Sequence, residues 1–311
     1  MFQGMEYVYE VYKEKSFSKA AANLYISQPS LSANVKRVEK KIGYPIFDRS
    51  TKPLSLTPCG IQYVQSIEKI IAIKNEFADF INDLGELKTG SLIIGGSNLF
   101  SSFILPSLIA EFARLHPQIN IQLIEESTSR LTEMLQQGTV DLILENTALD
   151  STIFDKKIYR EDHLLLAVPK DFAINHTLTD YQLSTEQILN HTFLDVAIPA
   201  VPLNLFEDET FILMKPNNDT GIRARELFQA NHFEPKIALE MDQQMTSYNI
   251  TCSGMGISFI GDVVLENMPF NANVVYYKLP LEISSREVCF YWKKGRYISR
   301  TMQEFLKLAV G

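Results

Sequence analysis

"SFSKAAANLYISQPSLSANVKRVEKKIG", residues 16–43, is the stretch on which the reading of the chain turns. From Lys15 to Val38 there is no Asp or Glu, although the 311-residue chain carries 37 acids and a formal charge of −8. Residues 1–60 hold nine Lys and Arg against five Asp and Glu, a balance of +4, whereas the remainder holds twenty against thirty-two, a balance of −12. The N-terminal segment can therefore approach a polyanion that the rest of the chain would repel.

The same stretch specifies two helices. Ala20 to Leu24 reads as a short one, with Ser16 or Ser18 able to supply the N-cap oxygen. After a break at Tyr25 and Ile26, Ser27 is a good N-cap. Pro29 is tolerated where the first turn has no intrahelical hydrogen bond to lose. The second helix is expected over 28–42, because Leu31, Val35, Val38 and Ile42 form one stripe of a 3.6-residue period and Gly43 can end it. Opposite that stripe lie Pro29, Ala33, Lys36 and Lys40, flanked by Ser32 and Arg37, with Ser27 and Gln28 at the N-terminal tip. Small residues there would let the helix enter a major groove, Gln and Ser can bond base edges, and Lys and Arg can neutralise phosphates. Charge pattern alone equally fits a solvated amphipathic helix pair.

The longer segment "FSKAAANLYISQPSLSANVKRVEKKIGYPIFDRSTKPLSLTPCG" resembles the DNA-binding part of LysR-type transcriptional regulators. AA-x-x-L, SQPSLS, IG-x-x-IF-x-R and LT-x-x-G occur in it in that order. The resemblance implies an all-α winged helix-turn-helix over residues 1–59, with double-stranded DNA as partner. Residues 48–55 would be the wing, with Arg49 and Lys52 available to the phosphate backbone. The DNA contacts expected from the helix are Ser27, Gln28, Pro29, Ser30, Ser32, Ala33, Lys36 and Arg37. Cys59 stands where the family often has another small residue.

Residues 60–88 follow without proline. Tyr63, Ile67, Ile70, Lys74, Phe77, Ile81 and Leu84 alternate spacings of 4 and 3, a heptad seam on one long helix interrupted by Lys74. Val64, Ile71 and Ala78 widen the apolar face, so packing within its own domain also fits the pattern. The resemblance implies a linker helix that pairs two subunits through Tyr63, Ile67, Ile70, Phe77, Ile81 and Leu84. The result would be a homodimer or homotetramer.

From Leu92 the pattern alternates. "LIIGG", "INIQLIE" and "VDLILE" read as strands separated by helices, a βαβαβ unit that predicts a parallel sheet. "HLLLAVP", "TFLDVAI", "KIALEM", "GISFIG", "NVVYYKL" and "EVCFYW" continue as strands, with helices near 221–231, 243–252 and 297–309. The order of elements resembles the effector-binding domain of LysR-type proteins, a two-lobed α/β unit of the type 2 periplasmic-binding-protein kind. Residues 89–311 would form it, lobe I from 89–162 and 268–311 and lobe II from 163–267, with crossings near Asp162 and Asn267.

Ligands of open α/β sheets sit beyond the carboxyl ends of strands. Those ends are Ser97 and Asn98, Ser127 and Thr128, and Asn146 and Thr147, with Gly95 and Gly96 allowing close backbone approach. Ala200, Val201, Met245 and Thr246 are the expected contacts from the second lobe. Ser, Thr and Asn are also favoured N-caps, which is the plainer account of the same residues. Hydroxyls, amides and helix N-termini suit a carboxylate or amino-acid effector.

Other classes find little support. No apolar run is long enough to span a membrane and no signal peptide is evident, so a cytoplasmic, bacterial protein is expected. No GxSxG, HExxH, CxxC or phosphate loop occurs, and the five histidines lack metal-ligand spacing. Neither enzymatic activity, nor a cofactor, nor a metal is expected. A solute receptor without regulatory role is a second reading of the two-lobed region. A third is a redox-sensing regulator using Cys252 and Cys289, although their sequence contexts suggest packing. RNA polymerase is a further expected partner.

Overall fold

The computed structural model describes residues 1–84, 90–216 and 218–311; the expected junction at 88/89 lies outside the described residues. The chain forms two compact units, Met1–Glu86 with Glu133–Val140, and Leu87–Thr132 with Asp141–Gly311.

The first unit opens with helix α1 (Met5–Glu14), which the motif pattern does not mark, then α2 (Phe17–Asn23) and α3 (Gln28–Ile42). Ser16 accepts from the Lys19 N–H and Ser27 from the Ser30 N–H, so each helix starts on a serine cap worth about 1 kcal/mol. Gly43 ends α3 at φ 88°, a left-handed conformation that favours glycine. Leu31, Val35 and Val38 are buried with Val8, Val11, Ala20, Ala21, Ile46 and Phe47, each large side chain contributing roughly 1.5–3 kcal/mol. Strands β1 (Phe47–Asp48) and β2 (Ser55–Leu56) pair antiparallel as the wing, and α4 (Pro58–Asp83) follows. A side chain at Gly60 would meet the Ile46 carbonyl oxygen at 2.0 Å, which accounts for the glycine in the LT-x-x-G motif.

The second unit contains β3 (Gly90–Gly96), α5 (Asn98–Phe103), α6 (Leu105–Leu115), β4 (Ile119–Glu125), the start of α7 (Thr128–Gln137), whose residues from Glu133 on count with the first unit, β5 (Leu142–Glu145) and β6 (Phe154–Pro169). It continues through β7 (Gln182–Leu183), α8 (Thr185–Leu189), β8 (Thr210–Met214), α9 (Asp219–Ala230), β9 (Lys236–Met241) and α10 (Gln244–Cys252). It ends with β10 (Ser258–Gly261), α11 (Asp262–Glu266), β11 (Val274–Lys278), α12 (Leu281–Ser284), β12 (Ser285–Lys293) and α13 (Arg300–Val310). The sheet order is β4-β3-β5-β12-β6-β11-β7, with β10 also on β6. As the βαβαβ pattern predicts, β3 is parallel to both β4 and β5.

The long β6 joins two lobes. Its residues up to His163 pair with β12, and from Leu164 onward they pair with β10 and β11. One apolar core gathers around β3 and β5, and two others flank the far half of β6. The return between lobes falls in the segment between Lys278 and Ser285, so the expected crossing at Asn267 is corrected. The strand "NVVYYKL" belongs to lobe II because Tyr276 and Tyr277 lie opposite Ala167 and Leu166, in the far half of β6. "TFLDVAI" is likewise not a strand. Thr192–Leu194 forms a 3₁₀ turn, and the Asp195 carboxylate closes the next turn by accepting the Ala197 N–H at 2.8 Å.

Candidate DNA-reading face and effector cleft

The structure sorts α3 as its spacing requires. Ser27, Gln28, Pro29, Ser30, Ala33, Lys36 and Arg37 are exposed and Ser32 is half-buried, while the apolar stripe faces inward. Glu39, the first acid after the gap, is committed elsewhere. Its carboxylate accepts the Ile46 N–H at 2.9 Å and pairs with Arg49 at 3.2 Å. Arg49 also lies over the Phe17 ring, so it is the more restrained of the two wing cations, and Lys52 is exposed.

The seam on α4 divides. Tyr63 and Ile67 are buried in the first unit's own core, Ile70 is half-buried, and Phe77, Ile81 and Leu84 are exposed. Assigning Tyr63 and Ile67 to a subunit seam is therefore corrected, because their side chains are consumed within the unit. The apolar face left over runs from Ile73 through Phe77, Phe80 and Ile81 to Leu84.

Between the two lobes of the second unit lies a cleft with about 580 Å³ of empty space, its open mouth included. Lobe I presents Ser97 and Asn98 at the start of α5, Thr128 at the start of α7, and Glu145, Asn146 and Thr147 at the end of β5. Met214, the residues opening α9, and Asp242 to Met245 face them from lobe II. Of the expected contacts, Ser97, Asn98, Thr128, Asn146, Thr147 and Met245 come together; Ser127, Ala200, Val201 and Thr246 do not line the cleft. Ser127 caps α7, accepting the Arg130 N–H, so the plainer account holds for it. Ser97 makes no side-chain cap bond. The expectation for Ala200 and Val201 depends on the strand that is absent, and Val201 instead joins the lobe II core, its N–H donating to the Lys278 carbonyl at 2.8 Å. Gly96 serves packing, since a side chain there would meet Leu105 at 2.8 Å.

Glu145 is the cleft residue that the strand pattern concealed. It ends an otherwise apolar strand and is 1% exposed. Burial pushes its carboxyl up to about 8, against the Thr128 hydroxyl and the Ser97 N–H, which both favour the carboxylate; nearby Asp219 raises it further.

Behind the cleft, ionic groups tie the two crossings together. Arg223 of α9 is fully buried, donating to the Ser284 carbonyl at 2.6 Å and to Asp162 at 3.1 Å, with Asp219 2.8 Å from its Nε. Burial pushes Asp162 up to about 6 even beside this guanidinium. On the other side of Asp162, Asp262 accepts from His163 at 2.8 Å, and Arg160 makes a two-pronged pair with Glu266 at 2.7 Å. His191, Asp262 and Glu266 bring potential metal ligands together that their sequence positions did not suggest, but Arg160 already engages Glu266 with both amino groups. Burial also pushes the Cys252 and Cys289 thiols up, which disfavours the reactive thiolate.

Together, a winged helix-turn-helix and a two-lobed α/β unit with a polar cleft define a DNA-binding regulator that carries an effector-binding domain. Residues 2–61 match the family model of the bacterial regulatory helix-turn-helix protein, lysR family, and residues 85–310 match the LysR substrate binding domain. The chain belongs to the LysR family of transcriptional regulators. It is 27% identical over 308 residues to the uncharacterized HTH-type transcriptional regulator YcgK of Bacillus subtilis, covering 98% of this chain and 92% of that one. It is 26% identical over 299 residues to a probable RuBisCO transcriptional regulator of Synechocystis, covering 94% and 81%. Among solved structures, a full-length OxyR variant from Pseudomonas aeruginosa matches with a TM-score of 0.67 at 20% identity, over 99% of this chain and 95% of that chain. CbnR, a LysR family regulator also solved with its target DNA, matches in that complex with a TM-score of 0.66 at 16% identity, over 99% and 98%. Among the described residues no helix is long and apolar enough to cross a membrane.

Proposed function

We propose that this regulator reads an interrupted palindrome as a homodimer or homotetramer. In this reading the tip of α3 contacts base edges, Lys36, Arg37 and the wing contact phosphates, and a small molecule in the cleft controls the outcome at promoter and RNA polymerase in the cytoplasm. The observation that carries the DNA part is the outward face of α3, exposed, small, basic and free of acids from its tip to Val38. Residues 1–59 would be the DNA-binding domain, 60–88 the linker helix and 89–311 the effector domain. Subunit pairing is assigned to Phe77, Ile81 and Leu84, with Ile70 at the margin. Effector contact is assigned to Ser97, Asn98, Thr128, Asn146, Thr147 and Met245. An effector shifts the DNA-bound geometry only by its differential affinity for two conformations. Selection of genomic fragments at controlled salt, followed by footprinting, tests the reading. Two protected half-sites separated by whole helical turns of about 34 Å are expected, and salt-sensitive binding without sequence preference would refute it.

A further inference from the structure

The charge of the cleft points away from the carboxylate effector that its hydroxyls first suggest. Among its described lining residues the ionisable ones are Glu145, Asp219 and Asp242, and no Lys, Arg or His joins them. Two of these acids are already paired. Asp219 lies 2.8 Å from Arg223 and 3.6 Å from Arg286, and Asp242 pairs with Lys215 at 2.7 Å. Glu145 is different: it is fully buried, the Ser97 N–H and Thr128 hydroxyl serve its carboxyl, and among the described residues its Oε1 has no hydrogen-bond partner. A buried polar atom left unbonded is costly, and the residue that carries this one lines an open cleft.

We propose that the effector carries an amino group whose ammonium docks on the Glu145 carboxylate, donating to Oε1 while Ser97 and Thr128 hold the carboxylate in place. The inference rests on the cleft being the effector site. A carboxylate effector would find no cation among the described lining residues, and the Ser97 N–H and Thr128 hydroxyl that could receive it already serve Glu145. An ammonium supplies both the missing donor and the opposite charge. Other titratable groups flank the site, the two lobe II acids with their cations. Asp219 of α9 and Asp242 ahead of α10 face it from lobe II, Glu125 of β4 lies exposed and accepts from Asn98, and Cys289 is its cross-strand neighbour on β12.

Because burial holds Glu145 protonated up to about pH 8, docking of an ammonium expels one proton from its carboxyl to solvent. Amine affinity therefore rises about tenfold per pH unit below that value and levels off above it.

The test uses the full-length protein in calorimetry and thermal-shift measurements. The probes are butylamine, cyclohexylamine, phenethylamine and 1,4-diaminobutane, each against the carboxylate of the matching skeleton. Binding of at least one amine is expected, with uptake of about one proton by the buffer and a tenfold gain from pH 6 to 7. Glu145→Gln should lose at least tenfold in that affinity, while circular dichroism verifies that it folds. Binding by carboxylates instead, weakening as pH rises and retained in Glu145→Gln, overturns the ammonium proposal and leaves the cleft as the site, with Glu145 a neutral donor. Failure of every amine overturns it as well. A probe that binds wild type, Glu145→Gln and Thr128→Val alike overturns the assignment of the cleft itself.

Discussion

The outer face of α3 and the cleft between the lobes are both polar, and we assign recognition to each, yet they are built in opposite ways. The α3 face comes from one contiguous helix, stays in solvent and is basic; its residues cost the fold little, because the stripe behind them supplies the stability. The cleft is assembled from separate segments of both lobes, is acidic and holds Glu145 away from water. A surface site can be tuned residue by residue, whereas a buried site is coupled to the stability of the unit that encloses it.

The largest expected effect tests that coupling at the hinge. Arg223 donates to the Ser284 carbonyl and the Asp162 carboxylate and forms an ion pair with Asp219, so Arg223→Met should destabilise the second unit by about 3–5 kcal/mol, measured by urea unfolding, because the buried Asp162 loses its cation. A loss near zero would mean that the crossings are held by packing alone. Glu145→Gln should act in the opposite direction. Its carboxyl titrates near 8 in the folded chain against about 4.5 unfolded, so between these values the native state alone keeps the proton and stability falls as pH rises. The Gln variant should therefore be more stable than wild type by on the order of a few kcal/mol at pH 9 and equal to it near pH 4. Equal stability at both pH values would show that the buried carboxyl is solvated.

On the α3 side, stability should hardly move while recognition does. Gln28→Ala should cost about 1–3 kcal/mol of discrimination at the base it reads, seen as relaxed sequence choice in binding selections. Lys36→Ala should weaken binding uniformly across sequences and lower the salt slope by about 1, with unfolding changed by less than about 0.5 kcal/mol. Unchanged affinity and slope would place the phosphate contacts elsewhere.

Legibility followed the same division. The spacing 31, 35, 38 and 42 gave α3 its observed limits, because a helix in contact with one core needs only local periodicity. On α4 the period was right but its use was not: a heptad seam does not reveal where an intramolecular core ends, and Tyr63 and Ile67 are consumed before the exposed portion begins. In the second unit the strand-end rule pointed to Ser97, Thr128 and Asn146, which line the cleft. Lobe II contacts were harder, since "TFLDVAI" has strand composition but one deeply buried side chain, Phe193, and no pairing partner. Glu145 carried a signal, an acid closing a wholly apolar strand, whose meaning depends on what lies above it.

The sequence by itself determined the family, the helix-turn-helix, its basic acid-free face and the alternating α/β pattern of the rest, because these reside in local periodicity, caps and contiguous motifs. Only the tertiary structure decided where β6 changes partners, which half of α4 remains exposed, and that Glu145 meets the cleft with one oxygen unbonded. Those outcomes depend on segments far apart in the chain becoming neighbours, and on the water their contact removes.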